Sequence, residues 1–194
     1  MSSFKKKVLF LGTTSKGNNK LKKIIKFQKE INNNIEKIVI NQKKIFIKLA
    51  KLFHQTYKNN GMIYIFGTGH SHMLAEEGHF RAGGFAPICP VLNSSLMLHE
   101  NTILSSSLER TEGVASELLK KYNIKSKDVL MIFTNSGVNQ APIEASYFAK
   151  KIKCKTVGVS SKQYSEIAKK SNTKKNYMKS WIIILIIMGH LEIH

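Results

Sequence analysis

The sequence predicts an α/β fold built on a parallel, doubly wound sheet. Apolar runs of strand length, at residues 62–66, 128–133 and 156–159, alternate with segments of helical period. Each of these runs ends in a turn rich in glycine or hydroxyl side chains. The length of 194 residues suits one such domain with a flanking helix. We expect the three turns to meet at one edge, because ligands of parallel sheets bind beyond the carboxyl ends of the strands.

The other elements follow from local patterns. Apolar residues recur every seventh position from Ile24 to Leu52, which predicts one or two long helices. We expect a helix over about 72–81 that Ser71 caps, and a strand over 86–91 that its two prolines confine to an edge. A polar loop at 93–107 then precedes the remaining elements, which are helices at 108–122 and 141–152.

Composition limits the partners of the chain. The formal net charge is +19, and the excess of lysine lies in residues 1–60 and 150–194. Those lysines are not clustered with aromatic residues, so we expect no nucleic acid, although the field attracts anionic ligands. Cys89 and Cys154 are far apart and form no CxxC pair, which indicates free thiols in a reducing cytoplasm. No stretch reaches about 20 apolar residues, so we expect no membrane span.

The three polar turns predict a shared anion pocket. The first, at 67–71, joins a strand to a helix, and the free amides of a helix start attract phosphate. The second lies at 134–137 and the third at 160–161. A dinucleotide fingerprint would need glycine where His72 stands, so no nucleotide cofactor is expected, and we predict no cofactor at all.

Six motifs carry a resemblance to a known family. They are FGTGHSHMLAEE at 66–77, FRAGG at 80–84, LMLHE at 96–100, LER-EG at 108–113, NSG-N--PIE at 135–144 and SS--YS at 160–165. Together they resemble the sugar isomerase (SIS) fold, a phosphosugar-binding domain, and most closely a family of stand-alone SIS proteins of the UPF0309 type. The resemblance runs from about residue 24 to residue 168.

The resemblance implies a five-stranded parallel sheet, a homodimer or higher homo-oligomer, and a sugar phosphate held by the strand-end turns. It divides the chain into an undefined segment at 1–20, a helix or helix pair at 21–60, the phosphosugar-binding domain at 61–170 and an aberrant tail at 171–194. The residues that would hold the sugar phosphate are Thr68, Gly69, Ser71, Thr134, Asn135, Ser136, Gly137, Ser160 and Ser161.

The implied activity is aldose–ketose isomerisation of a sugar phosphate. This reaction needs a base that moves a proton between neighbouring carbons and a group that opens the sugar ring. Glu76 and Glu77 follow the first turn and are our candidates for the base. His99 is our candidate for ring opening, with His70 and His79 as alternatives. Further carboxylates come from segments that could cover the site, namely Glu100, Glu109, Glu112 and Glu144.

Several alternatives stay open. His72, Glu76 and His79 share one helix face and could bind a metal ion. Related phosphoheptose isomerases place their His-x3-Glu zinc pair further from the phosphate turn, so we do not transfer it and predict no metal. The family also includes phosphosugar lyases and etherases, and sensor domains of transcription regulators. A sensor would need a DNA-binding domain, and no helix-turn-helix signature stands out in residues 1–60.

The tail at 171–194 departs from the family pattern. The family would continue with a segment like LYEV and then DNHGP-GD, whereas this chain has the apolar run WIIILIIM at 181–188. If the codons from Asn176 onward are read from the third nucleotide, permitted codon choices spell the missing motif. We therefore expect a frameshift near residues 174–176 that removes the last strand and helix and could abolish activity. The sequence of the gene tests this expectation.

Overall fold

The computed structural model describes residues 15–161, 164, 167–168 and 183–186. The chain divides into two compact units, residues 1–41 and residues 42–194. The first unit contains helix α1 (Ser15–Asn41), which carries most of the amino-terminal heptad pattern. The second unit contains the sheet, the strand-end turns and all the predicted site residues.

The predicted parallel sheet is confirmed. Its strands pair in the order β2-β1-β3-β4-β5, and every pairing is parallel. The short strand β2 lies at one edge, as its prolines predict. The strands are β1 (Ile63–Gly67), β2 (Ile88–Pro90), β3 (Val129–Phe133), β4 (Lys155–Ser160) and β5 (Ile183–Ile186).

Helices cover both faces of the sheet. Successive side chains of a strand point to opposite faces, so each face buries its own apolar cluster against helices. On one face, Phe66 and Leu130 are fully buried in a cluster with residues of α5 and α6. On the other face, Ile63 and Val129 pack with Leu52 of α2. The helices of this unit are α2 (Lys43–Lys58), α3 (Met73–Gly78), α4 (Thr102–Leu108), α5 (Val114–Lys120) and α6 (Gln140–Lys151).

Three helices differ from the sequence prediction. The helix predicted over 72–81 ends at Gly78, because the backbone of His79 is extended and Phe80 has a positive φ of 44°. The segment predicted as a loop at 93–107 contains α4, which Asn101 caps through a side-chain bond to the Leu104 amide. The helix predicted over 108–122 begins only at Val114, after Gly113 at φ 90°.

Part of the apolar tail run forms a strand. Residues Ile183–Ile186 form β5, which pairs in parallel with β4 at the edge of the sheet. That the family's own last strand and helix are missing stays a prediction. Without a neighbour, β4 would present a row of unpaired backbone groups, and this isoleucine-rich segment supplies their partners. The expected frameshift at 174–176 and the rest of the tail lie outside the described residues.

Among the described helices, none is both long and apolar enough to cross a membrane.

The described cysteines are free, as predicted. Cys154 is buried, and burial, followed by the nearby Asp128, raises the pKa of its thiol to about 12. The thiol therefore stays protonated and donates to the Asp128 carbonyl oxygen at 3.3 Å.

Asp128 ties together the amino-terminal ends of the two central strands. Its side chain is buried and accepts from the Met62 amide at 2.8 Å and from the Lys125 amide at 2.7 Å. It thereby links the residue before β1 to the turn that precedes β3. A buried carboxylate with two amide donors is a strong acceptor, and its loss leaves both donors unpaired.

We expect Asp128→Ala to lower the free energy of unfolding by about 2 kcal/mol, because the part-buried bonds from the Met62 and Lys125 amides to a buried carboxylate are lost. Urea titration followed by circular dichroism measures this change. Glu117→Ala is the control, because its exposed side chain pairs only with exposed Lys120 in the described structure. Equal stability of the two variants would contradict the assigned role of Asp128.

Candidate functional site

The candidate site lies where the direction of strand addition reverses. The strand β2 pairs with one side of β1, and β3, the next strand in the chain, pairs with the other side of β1. The switch point therefore lies between β1 and β3. Ligands of open parallel sheets bind in the crevice at such a point, beyond the carboxyl ends of the strands. The predicted turns after β1 and β3 flank this crevice, and the turn after β4 lies beside them.

The second and third turns are joined directly by backbone hydrogen bonds. The Thr134 amide donates to the Val159 carbonyl oxygen at 3.0 Å, and the Ser161 amide donates to the Asn135 carbonyl oxygen at 3.0 Å. The end of β1 is in register with the end of β3, where Gly67 is opposite Phe133. The three predicted turns therefore lie side by side at one edge of the sheet.

The first turn is tighter than the sequence predicts. Residues Gly69–His72 form a 3₁₀ helix before α3 begins. A Cβ atom at Gly67 would overlap the Ser71 carbonyl oxygen, and Gly69 has a φ of 56°, so both positions require glycine. Ser71 lies inside the 3₁₀ helix and its amide donates to the Thr68 carbonyl oxygen, so the predicted cap role of Ser71 is wrong.

The second turn is ordered by its own hydroxyl groups. The Thr134 side-chain oxygen accepts from the Gly137 amide at 3.1 Å, and that of Ser136 accepts from the Val138 amide at 3.3 Å. Each hydroxyl used as an acceptor keeps its proton available for donation to a ligand. Asn135 is exposed at the tip of the turn, and Gly137 adopts a φ of 67°.

The third turn contains an unsatisfied buried hydroxyl. Ser160 is 1% exposed, and its Oγ is buried without a hydrogen-bond partner in the described part of the chain. Its neighbour Ser161 is also buried, but its Oγ accepts from the Tyr164 amide at 3.2 Å. Buried polar groups are normally satisfied, so the Ser160 hydroxyl stands out as an unused donor among the described residues.

A cavity of about 320 Å³ opens beside the first turn. It has the size of a small-molecule pocket. Glu76 and His99, two of the predicted catalytic residues, line it together. Glu77 does not line it, because its exposed side chain points elsewhere and pairs with Arg81. The other residues around the cavity are Gly69, His70, Met73, Met97 and Leu98.

His72 holds Glu76 in place. Its fully buried ring accepts from the Asn93 amide at Nε2 over 3.2 Å, so the proton of the neutral imidazole is on Nδ1. That proton is donated to Glu76 Oε1 at 2.7 Å. Both ring nitrogens are thus engaged, and His79 lies beyond the end of α3, so these three residues do not converge as metal ligands. Within the described residues, no group of three possible metal ligands comes together.

Glu109, which the sequence predicts only as one of the carboxylates that could cover the site, lies at the first turn. Its Oε2 lies 3.9 Å from where a Cβ of Gly69 would be, so the carboxyl group lies beside the first turn. Burial raises the pKa of Glu109, while the Thr68 hydrogen bond and then Arg110 act in the opposite direction. A half-buried carboxyl group with a raised pKa beside a ligand pocket is a candidate acid–base group.

Backbone contacts fix Glu109 in this position. Its carbonyl oxygen accepts from the Ala141 amide at 3.0 Å, in the first turn of α6. Four residues later, the Gly113 amide donates to the Glu144 carboxylate at 2.6 Å. The side chain of Glu109 therefore contacts the first turn while its backbone contacts the helix that follows the second. The LER-EG motif was the available signal, but nothing local to it predicts this position.

A larger cavity, of about 500 Å³, lies elsewhere. The loop at 79–86 surrounds it together with Ile88, the first residue of β2. It thus lies toward the amino ends of the strands, away from the switch point. We therefore base the functional argument on the carboxyl edge, despite the greater size of this cavity.

The chain belongs to the SIS domain family, whose model matches residues 26–161. The predicted resemblance is confirmed by this match. Among curated proteins, a UPF0309 protein of Brucella ovis is 42% identical over 127 residues, or 66% of this chain and 52% of the relative. A UPF0309 protein of Brucella anthropi matches with the same identity and coverage. The chain thus spans about half the length of the curated relatives it matches.

Solved structures show the same fold. The phosphoheptose isomerase GmhA of Neisseria gonorrhoeae has a TM-score of 0.60 at 15% identity, over 88% of this chain and 87% of that one. A phosphoheptose isomerase of Francisella tularensis has a TM-score of 0.62 at 14% identity, over 91% of this chain and 87% of that one. At these identities the likeness concerns the fold alone.

The raised pKa of Glu109 predicts a pH-dependent stability difference. Its folded-state pKa exceeds the unfolded value, so ionisation of Glu109 destabilises the fold as the pH rises through the folded-state pKa. Glu109→Gln removes that ionisation. We expect the variant to melt above the wild type at about pH 8 and to approach it near pH 4, where the carboxyl is protonated in both states. Differential scanning fluorimetry measures both melting temperatures.

Exposed Glu112 on the same loop supplies the matched control for this experiment. Glu112→Gln should change the melting temperature by a similar small amount at both pH values. A Glu109→Gln difference that does not depend on pH would contradict the assigned burial of the carboxyl group.

Proposed function

We propose that this chain binds a sugar phosphate at the carboxyl edge of its sheet and catalyses an aldose–ketose isomerisation of it. The Ser160 hydroxyl is the observation that carries the proposal, because it is buried at the carboxyl end of β4, next to the second turn, without a partner in the described structure. A phosphate oxygen would satisfy it. Membership of the SIS domain family and the phosphoheptose isomerase names of the structural relatives support the same substrate class.

Three kinds of donor are available to the phosphate group. The hydroxyls of Thr134 and Ser136 accept bonds from their own turn and have their protons left to donate. The Ser160 hydroxyl is unpaired among the described residues. We assign the backbone amides of Asn135 and Ser136 as the third kind of donor, since the Gly137 and Val138 amides already bond to hydroxyls of the turn. We assign the other predicted ligand residues, Thr68, Gly69, Ser71, Asn135, Gly137 and Ser161, to the walls of the same pocket.

Acid–base chemistry is assigned to groups next to this pocket. Glu76 has its Oε1 held by His72 and is 37% exposed toward the cavity, so we assign it as the base that moves the proton between neighbouring carbons. His99 lines the same cavity and is assigned to ring opening. Glu109, whose Oε2 lies 3.9 Å from the Cβ position of Gly69, adds a second carboxyl group. Glu77 has no role in this mechanism, because it is exposed and paired with Arg81.

A thermal-shift screen with hexose and amino-sugar phosphates tests the proposal directly. A ligand that binds the folded chain raises its melting temperature, and the matching free sugars serve as controls. We expect a rise with at least one sugar phosphate and none with its free sugar. A folded chain whose melting temperature no sugar phosphate changes would contradict the proposal.

Ser160→Ala should weaken the binding of a sugar phosphate by about tenfold to a hundredfold, because it deletes a donor to a charged group. The same change should leave the free energy of unfolding nearly unchanged, since Ser160 Oγ has no partner in the described structure. Calorimetry with the sugar phosphate and urea titration measure the two effects.

Ser105 provides the opposite case. Its equally buried hydroxyl donates to the Leu96 carbonyl oxygen at 2.9 Å. Ser105→Ala should therefore cost about 1–2 kcal/mol of stability. A Ser160→Ala variant that loses as much stability as Ser105→Ala and binds like the wild type would refute the assigned role of Ser160.

Glu76→Gln should lower kcat for isomerisation by about a hundredfold or more, because it removes the assigned base while leaving the shape of the pocket unchanged. Its neighbour Glu77 is the matched control, since Glu77→Gln loses only an exposed ion pair with Arg81. Steady-state kinetics on the sugar phosphate identified in the screen measure both variants. Equal losses in the two variants would contradict the assignment.

Three further expectations belong to the same proposal. A homo-oligomer, a cytoplasmic location and a phosphosugar-binding domain at 61–170 stay predictions, drawn from the family resemblance and from composition. Size-exclusion chromatography with light scattering would measure the oligomeric state.

A further inference from the structure

The helices α5 and α6 cap each other. The residue in front of each helix forms no side-chain cap bond of its own. Instead, the Glu144 carboxylate of α6 accepts from the Gly113 amide at 2.6 Å and from the Ser116 amide at 3.4 Å. In return, the Glu109 carbonyl oxygen accepts from the Ala141 amide at 3.0 Å. These bonds satisfy first-turn amides that have no partner within their own helix.

The same bonds hold the segment at 109–113 at both of its ends. Glu109 is tied at its carbonyl oxygen and Gly113 at its amide, and both partners lie in the first two turns of α6. The Gln140 side chain also donates to Glu144 Oε1 at 2.9 Å, and Oε1 is the oxygen that accepts from Gly113. Glu144 is therefore held by its own helix while it holds the end of the neighbouring segment.

This segment carries a carboxyl group to the first strand-end turn. Glu109 Oε2 lies 3.9 Å from the Cβ position of Gly69, and Gly69 lines the cavity that Glu76 also lines. The helix α6, which holds the segment, follows the second strand-end turn. Glu144 itself lines no part of this cavity, so any effect on the site passes through the backbone from Gly113 to Glu109.

We propose that Glu144 is a positioning residue of the isomerisation site, which sets the distance between the Glu109 carboxyl group and the substrate. This inference rests on the proposed function, since Glu109 needs a reacting sugar phosphate beside it. A displacement of about 1 Å in a reacting group can lower a rate by about a hundredfold. Loss of the bond between Glu144 and Gly113 is therefore sufficient to affect turnover.

A purely structural cap would have a different signature. Its loss lowers the stability of the domain and leaves kcat of the folded molecules unchanged. Loss of a positioning residue lowers kcat of the folded molecules, and only while the positioned group is present. Combined changes at Glu144 and Glu109 separate the two roles, because changes that act through one group are not additive.

A double-mutant cycle in kcat tests this inference. Fructose 6-phosphate is the first substrate, followed by each sugar phosphate that the thermal-shift screen identifies, at a temperature where circular dichroism shows every variant to be folded. We expect Glu144→Ala to lower kcat by about tenfold to a hundredfold. Glu109→Gln should itself lower kcat by about tenfold or more. In the Glu109→Gln background, Glu144→Ala should lower kcat by no more than about twofold further.

Two conservative variants separate the reach of the Glu144 side chain from its charge. Glu144→Gln keeps the length and an oxygen that can accept from the Gly113 amide, so its kcat should stay within about fivefold of the wild type. Glu144→Asp keeps the charge but is one methylene shorter, so it should lose about as much kcat as Glu144→Ala. Should Glu144→Ala not fold, Glu144→Asp takes its place in the cycle.

Asp128→Ala is the control for lost stability, because Asp128 lies at the amino ends of the strands, away from the site. It should leave kcat of the folded chain unchanged, with or without Glu109→Gln. Glu144 variants with lower stability and an unchanged kcat would overturn the inference and leave the proposed function standing. An undiminished loss of kcat in the Glu109→Gln background would do the same. Absence of turnover with every sugar phosphate would instead refute the proposed isomerisation, and this inference with it.

Discussion

Parallel pairing of β1, β3 and β4 is the constraint on which the rest of the site depends. It brings the carboxyl ends of three strands to one edge, where the Thr134 and Ser161 amides bond across to neighbouring turns. A chain with the same turns on antiparallel strands would place them at opposite edges. The pocket is thus a consequence of strand direction first and of side-chain chemistry second.

The side chains around this edge are held by backbone groups of distant segments. The Asn93 amide fixes the tautomer of His72, which orients Glu76, and the Ala141 amide holds the backbone of Glu109. Such contacts preorganise reactive groups, because their positions are set by the fold before a ligand arrives. The unpaired Ser160 hydroxyl is the exception among the described residues, and we propose it as a donor to the phosphate.

The sequence was sufficient for the sheet and for the three turns, because strand-length apolar runs and glycine turns are local signals. It could not separate Glu76 from Glu77, because the 3₁₀ turn before α3 decides which of these neighbouring side chains faces the cavity. It also could not select Glu109, whose position depends on how the segment after α4 returns to α6. The strand β5 depends on the free edge of β4, which is a property of the assembled sheet.

A crystal structure of the full chain with a bound sugar phosphate tests the central claim most directly. The account predicts that the phosphate lies between the turns after β1, β3 and β4, with one oxygen at about 2.7 Å from Ser160 Oγ. It also predicts that the sugar extends toward Glu76 and His99. A phosphate bound at the cavity under the 79–86 loop, with the Ser160 hydroxyl still unpaired, would contradict it.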